Sequence, residues 1–217
     1  MNLSLFDDEP APSERATRLG EHAVVLRGWA LPHVAALWPA LQAVIAQAPF
    51  RHMHTPGGQR MQVALSNGGA LGWVSDRRGY RYDAFDPDTQ QRWPALPPAF
   101  TELATSAAAQ AGFEAFAPDA CLINRYTPGT RLSLHQDRDE QDFSQPIVSV
   151  SLGLPAVFLW GGAQRADRPQ RVPLLHGDVV VWGGADRLRF HGVAPVPEGF
   201  HPLTGVARIN FTFRRAG

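Results

Sequence analysis

The chain contains no lysine: all 20 of its cationic residues are arginine. Genomic base composition accounts for that choice, but it has a physical consequence. Every basic contact the protein makes is a planar fork of N–H donors rather than a point charge. Cysteine is nearly absent too. Cys121 is alone, so no internal disulfide can form and nothing argues for an oxidising compartment. Charge of either sign is not in excess, because 20 acidic residues balance the 20 basic ones. Whole-chain electrostatics therefore give no support to nucleic-acid binding, and any such surface must be local. No apolar run approaches the ~20 residues that span a bilayer. The start, Met1-Asn2-Leu3-Ser4-Leu5-Phe6-Asp7-Asp8-Glu9, is acidic and lacks a signal peptide's basic and apolar regions. A cytoplasmic protein without membrane contact is expected. There is no internal repeat and no low-complexity tract.

What is present suits one globular domain. The 217 residues are 44% hydrophobic and 18% charged, enough for a sizeable core. The 20 glycines and 19 prolines suit a fold with many turns. Residues 1–20 are polar and are expected to form a poorly ordered tail, with a single domain over 21–217. His22-Ala23-Val24-Val25-Leu26 predicts a strand. Residues 31–48 predict a helix with Val34, Leu37, Leu41, Val44 and Ile45 on one face, kinked or broken at Pro39. Thr55-Pro56-Gly57-Gly58 predicts a turn, and Met61-Gln62-Val63-Ala64-Leu65 alternates like a strand. Residues 66–98 are rich in glycine, proline and aromatics and predict hairpins and loops. Residues 98–111 predict a helix stopped by Gly112. From Asp119 onward eight short strands are expected, at 120–127, 131–135, 146–152, 156–160, 171–175, 178–182, 188–193 and 206–214. Such density over 119–217 indicates a sandwich or jelly roll.

Three stretches carry candidate chemistry. In His135-Gln136-Asp137, an extended strand would place His135 and Asp137 on one side. Imidazole and carboxylate are good Fe(II) ligands, and two histidines with one carboxylate leave three metal positions open. The third ligand stays open between His191, His176 and His201. His191 sits late in a strand and is the better placed; His176 looks like a turn residue. In Arg208-Ile209-Asn210-Phe211-Thr212-Phe213-Arg214 the apolar residues share one strand face, and Arg208, Asn210, Thr212 and Arg214 share the other. Buried arginines need anionic partners, and no acidic strand neighbour is evident, so a ligand with carboxylates is suggested. In Leu122-Ile123-Asn124-Arg125-Tyr126, Asn124 and Tyr126 share a face and can donate to a carboxylate oxygen.

With these stretches in place the chain resembles the AlkB family of Fe(II)- and 2-oxoglutarate-dependent dioxygenases, which directly reverse alkylation damage to nucleic acids. The likeness is carried by Cys121-Leu122-Ile123-Asn124-Arg125-Tyr126, His135-Gln136-Asp137-Arg138-Asp139-Glu140, Ile147-Val148-Ser149-Val150-Ser151-Leu152-Gly153, Gly177-Asp178-Val179-Val180-Val181-Trp182-Gly183-Gly184, His191-Gly192 and residues 208–214. Thr55-Pro56-Gly57-Gly58 and Leu71-Gly72-Trp73 extend it upstream, so that it spans nearly all of 22–217. It implies a double-stranded β-helix (jelly roll) core with flanking helices, and a nucleotide-recognition lid over 51–95. It implies that His135, Asp137 and His191 hold Fe(II). Arg208, Asn124 and Tyr126 would take the distal carboxylate of 2-oxoglutarate. Arg214, with Asn210 close by, would take the carboxylate beside the keto group. Trp73 and the ring of His135 would sandwich the target base, with Asp139 at its exocyclic edge and Tyr80 and Arg165 near the strand. Residues 51–81 carry Arg51, His52, His54, Arg60, Arg77, Arg78 and Arg81, a local basic patch hidden by the zero net charge.

The implied reaction consumes O2 and 2-oxoglutarate, hydroxylates an N-alkyl carbon, and releases succinate, CO2 and an aldehyde. The implied substrate is single-stranded or flipped-base DNA, with RNA as a further one, and the implied enzyme is a monomer. The alternatives are the same chemistry on modified RNA, a free nucleotide or a protein side chain, a zinc hydrolase using the same ligands, and a non-catalytic binding module.

Overall fold

The computed structural model describes residues 16–217. The expected tail therefore lies outside the described residues, except at its end. There Ala16–Arg18 form strand β1 on the edge of the larger sheet. The other elements are β2 (Ala23–Leu26), α1 (Val34–Gln47), β3 (Ala64–Gly69), β4 (Gly72–Asp76), β5 (Gly79–Asp83), α2 (Pro98–Gln110), β6 (Ala120–Tyr126), β7 (Leu132–His135), β8 (Ile147–Gly153), β9 (Ala156–Trp160), β10 (Gln170–Leu174), β11 (Val179–Trp182), β12 (His191–Val193) and β13 (Arg208–Arg214). No helix among the described residues is long and apolar enough to cross a membrane.

The strands form a seven-stranded sheet in the order β1-β2-β11-β8-β13-β6-β3, a four-stranded sheet in the order β10-β9-β12-β7, and a separate hairpin β4-β5. Every pairing is antiparallel. This is the jelly roll that the strand density implied. Helices α1 and α2 cover the outer face of the large sheet. Their Leu37, Leu41, Val44, Phe100 and Leu103 pack on Val148, Val150, Phe211 and Phe213. The Phe100 ring meets Phe211 edge-on at 4.9 Å and Phe213 at 5.9 Å. Between the two sheets, Val25, Val180 and Trp182 meet Phe158, Trp160 and Leu174. Phe158 and Trp182 of this apolar filling also border the cavity that the inner polar side chains line.

The period of two in β13 separates apolar from polar side chains. Ile209, Phe211 and Phe213 face the helices, leaving Arg208, Asn210, Thr212 and Arg214 on the inner face. Strand β8 repeats it, with Val148, Val150 and Leu152 outward and Ser149 and Ser151 inward.

Several local expectations need correction. Pro39 does not break α1, which runs unbroken through it. The proline lies on the exposed side of the helix, where the Ala35 carbonyl that loses its donor can reach water. The strand expected at 61–65 instead runs from Ala64 to Gly69, and all six residues are buried. Asn67-Gly68-Gly69, in the stretch expected to form hairpins and loops, thus completes a strand paired with β6. Gly69 has φ +117°, and a Cβ there would lie 2.3 Å from the Asp119 carbonyl oxygen, so only glycine fits this approach. Strand β12 begins only at His191, because residues 184–186 form a turn of 3-10 helix before it.

Candidate active site

His135 and His191 are direct cross-strand partners in the β7–β12 pairing, with ring centroids 4.4 Å apart. That register selects His191 over its competitors. His176 and His201 lie together elsewhere, their rings 4.3 Å apart. Asp137 arrives differently from the expectation. Strand β7 ends at His135, so no strand periodicity places Asp137. The irregular backbone of residues 136–140 does, held by Arg187, which donates to the Asp137 carbonyl at 3.0 Å and the Gln145 carbonyl at 3.1 Å.

The proton positions on the two rings follow from their partners. His135 Nδ1 lies 2.9 Å from the Ser133 carbonyl and His191 Nδ1 lies 3.0 Å from the Arg189 carbonyl. A carbonyl only accepts, so each neutral ring carries its proton on Nδ1 and leaves the Nε2 lone pair free. Both Nε2 atoms turn to Asp137, His135 at 3.6 Å from Oδ1 and His191 at 3.8 Å from Oδ2. Among the described residues these are the one set of three such side chains whose ligand atoms lie within 4.8 Å of one another. Burial and the neighbouring His135 push the His191 pKa down to about 4, so that ring is a neutral ligand at neutral pH. Burial raises the Asp137 carboxyl, but Arg214 and the two histidines outweigh it and hold it well below the usual carboxylate range. Two imidazoles and one carboxylate converging without filling a coordination sphere suit Fe(II) with positions left for ligands.

The two arginines of β13 prove unequal. Arg214 has acidic partners that the sequence did not reveal. Its Nε and Nη2 donate to Asp137 Oδ2 at 3.0 and 2.7 Å, and its Nε lies 3.1 Å from Glu140 Oε1. Burial alone would lower the Arg214 pKa, but these carboxylates raise it. Arg208 has no acidic partner among the described residues. It is 1% exposed, and its Nη2 donates to Ser151 Oγ at 2.8 Å. Its Nε and Nη1 have no hydrogen-bond partner at all. The Tyr126 ring lies under its guanidinium, 5.0 Å from Cζ. Burial pulls the Arg208 pKa down, and the neighbouring Tyr126 phenol offsets only part of that. Asn124 and Asn210 stand opposite each other on β6 and β13 and are linked at 3.3 Å.

Trp73, on β4, stacks on Tyr80 of β5 with centroids 5.6 Å apart. Its indole N–H donates to Asp139 Oδ2 at 2.7 Å. Arg165 lies over the Phe190 ring at 5.5 Å. Trp73, Tyr80, Asn124, Tyr126, His135, Asp137, Asp139, Arg165, His191, Arg208, Asn210 and Arg214 all border one cavity of about 510 Å³. The sequence thus nominated residues that the fold brings together.

It missed others. Tyr82 and Glu140 line the same cavity, and Arg187 braces its floor. Glu140 stands in the quoted motif run, but nothing in the residue pattern marked its burial. The expected basic patch also shrinks. Arg51 pairs with Asp86 and Asp88, Arg81 with Asp76 and Asp83, and Arg78 with Asp76. Of its arginines, Arg60 and Arg77 form no ion pair among the described residues.

Comparison with known proteins agrees with this geometry. The model of the 2OG-Fe(II) oxygenase superfamily matches residues 22–214. The alpha-ketoglutarate-dependent dioxygenase AlkB of Salmonella typhimurium is 55% identical over 214 residues, covering 99% of this chain and 98% of that protein. The AlkB of Escherichia coli is 54% identical over 215 residues, with 99% and 98% covered. The solved structure of OsALKBH1 matches with a TM-score of 0.80 at 28% identity, covering 92% of this chain and 99% of that one.

Proposed function

The chain belongs to the AlkB family of the 2OG-Fe(II) oxygenase superfamily, and we propose that it removes alkyl groups from ring nitrogens of nucleic-acid bases, of the 1-methyladenine and 3-methylcytosine type. One observation carries the reading. A cluster of two histidines and a carboxylate shares its cavity with a buried arginine that has two unpartnered nitrogen donors. A buried guanidinium without an anion is costly, and a carboxylate in that cavity relieves it. A zinc hydrolase has no use for such a group. Glu140, the nearby acid, is engaged by Tyr82, Arg214 and Arg187 and is not free to act as its base.

In this reading His135, Asp137 and His191 hold the iron through two Nε2 atoms and a carboxylate oxygen. Arg208, Asn124 and Tyr126 take the distal carboxylate of 2-oxoglutarate, and Arg214, with Asn210 beside it, takes the one next to the keto group. Fe(II) bound there would supply the activation of O2, with one oxygen atom accounted for in succinate and CO2 from 2-oxoglutarate and the other in the oxidised N-alkyl carbon. The Ser133 and Arg189 carbonyls keep the ring protons away from the metal side. One face of Trp73 is covered by Tyr80, and the other, with the His135 ring, sandwiches the base. Asp139 faces the exocyclic edge, and Tyr80 and Arg165 lie along the strand. Residues 51–95 form the nucleotide-recognition lid. A base can reach this depth only outside its stack, so single-stranded or flipped-base DNA is the substrate, with RNA as a second.

The test is the mass of an oligonucleotide carrying 1-methyladenine or 3-methylcytosine after incubation with Fe(II), ascorbate and 2-oxoglutarate. Loss of the methyl group matched by succinate is expected. Succinate formed with both lesions left intact would refute the choice of substrate.

A further inference from the structure

Asp139 and Glu140, the two carboxylates that follow the metal-binding motif, hold the two strands of the β4–β5 hairpin at one cross-strand pair. Trp73 and Tyr82 stand directly opposite each other in the hairpin. Trp73 donates to Asp139 at 2.7 Å, and the Tyr82 hydroxyl donates to Glu140 Oε1 at 2.9 Å. The hairpin forms a two-stranded sheet of its own. Such a ribbon has little stability alone, so its pose over the cavity depends on ties of this kind.

The two ties differ in what lies behind them. Asp139 is exposed, whereas Glu140 is buried among charges. The Glu140 Oε1 that accepts from Tyr82 also lies 3.1 Å from Arg214 Nε. That same Nε donates to the metal-side carboxylate of Asp137. Glu140 Oε2 lies 3.1 Å from Arg187 Nη2, and Arg187 in turn donates to the Asp137 carbonyl. One carboxylate therefore touches the hairpin and the guanidinium that braces the metal cluster.

We infer that Glu140 is a positioning residue through which an anion bound at Arg214 tightens the hairpin over the cavity. This rests on the reading above, in which Arg214 takes a carboxylate of 2-oxoglutarate. Competition sets the direction. A ligand carboxylate draws on the guanidinium that Glu140 Oε1 shares, and the buried oxygen then depends more on the Tyr82 hydroxyl. Linkage makes the effect reciprocal: without that hydroxyl, Glu140 holds Arg214 harder and the ligand binds less well.

Replacing Glu140 itself would leave the buried Arg187 without its anion and Arg214 with Asp137 alone, so the probe is Tyr82→Phe, which removes one hydroxyl and keeps the ring. Mn(II) stands in for iron so that nothing turns over. Two quantities are measured with Mn(II) present: 2-oxoglutarate affinity by calorimetry, and backbone amide exchange of residues 72–83 with and without 2-oxoglutarate. In the wild type, 2-oxoglutarate should slow that exchange by about fivefold, the lower end of ordinary coupling between sites. In Tyr82→Phe the slowing should vanish and the 2-oxoglutarate Kd should rise by about the same factor. Ser75→Ala, which cuts a tie from the hairpin to the His54 carbonyl, should speed exchange equally in both states. If Tyr82→Phe behaves like Ser75→Ala, or leaves 2-oxoglutarate affinity unchanged, the tie is merely structural and the inference fails. A wild type without Mn(II)-dependent 2-oxoglutarate affinity would instead overturn the functional reading beneath it, and this inference with it.

Discussion

Arg208→Met should have opposite effects on the ligand-free and the ligand-bound protein. In the ligand-free protein Arg208 is almost wholly buried, with one hydrogen bond to Ser151 and two nitrogen donors, Nε and Nη1, unpartnered. Leaving buried donors unsatisfied costs roughly 1–3 kcal/mol, more when the group is charged. Replacing a buried ion by a hydrophobe of similar volume often stabilises by about 1–4 kcal/mol. Against this stand the lost hydroxyl contact and the lost stacking over Tyr126, together roughly 1–2 kcal/mol. The net expectation is a gain of about 1 kcal/mol, or roughly 2–4 °C in Tm for a chain of this size. With Mn(II) and 2-oxoglutarate the sign reverses. Wild type should gain about 2.7 kcal/mol when 2-oxoglutarate is a hundredfold above Kd, and the variant should gain almost none of it. The assay is denaturant or thermal unfolding of both proteins with Mn(II), with and without 2-oxoglutarate. If Arg208→Met is destabilised without ligand by more than about 1 kcal/mol, the guanidinium is already satisfied by the protein, and its role as an anion receptor is wrong.

Asp137→Ala should abolish succinate formation, and it should also disturb Arg214, which loses the oxygen that takes two of its N–H groups; normal turnover would remove Asp137 from the ligand set. Asp139→Asn keeps an acceptor for the Trp73 indole but removes the charge, so it should lower kcat/KM for cationic 1-methyladenine several-fold more than for neutral 3-methylthymine. An unchanged ratio in single-stranded oligonucleotides at fixed salt would mean that charge is not what this site reads. The metal-free protein should lose stability in mild acid. Burial, with His135, lowers His191 from 6.5 to about 4 on folding, so the unfolded chain binds the extra proton and the stability held above pH 6.5 drains away as pH falls toward 4. This amounts to on the order of 2 kcal/mol by pH 5, and denaturation of wild type and His191→Gln at pH 7 and 5 should show the gap between them closing by that amount.

Strand faces were legible because they depend only on a period of two. The alternation in residues 208–214 separates the helix-facing phenylalanines from the cavity-facing polar groups without reference to the rest of the chain. Partners across the fold were not legible. Whether Arg51 is free or neutralised depends on where Asp86 and Asp88 return after the hairpin, and no local pattern encodes that. Asp137 illustrates the same limit. Its position beside His135 was anticipated on strand geometry, yet β7 stops two residues short of it. The chain reaches the same place through an irregular segment pinned by Arg187, fifty residues away in sequence. Pro39 does not break the helix because the cost of a missing N–H depends on which side of the helix it falls, and that follows from packing rather than from the proline.

The inequality of Arg208 and Arg214 also bears on the order in which the site fills. Asp137 and Glu140 balance Arg214 and Arg187 within the buried cluster, which leaves the positive charge of Arg208 uncompensated. A divalent cation entering between His135, Asp137 and His191 adds to that excess, and it must compete with Arg214 for the Asp137 oxygen. A dianion arriving with the metal offsets both effects, since its carboxylates answer Arg208 and relieve Arg214. Metal and 2-oxoglutarate should therefore strengthen each other's binding, as linkage requires of any such pair. A binding module that merely recognised a dicarboxylate would have no reason to build in this dependence. The charge pattern of the ligand-free protein, rather than the presence of three ligand side chains, thus favours an enzyme that holds back its metal chemistry until the cosubstrate is in place.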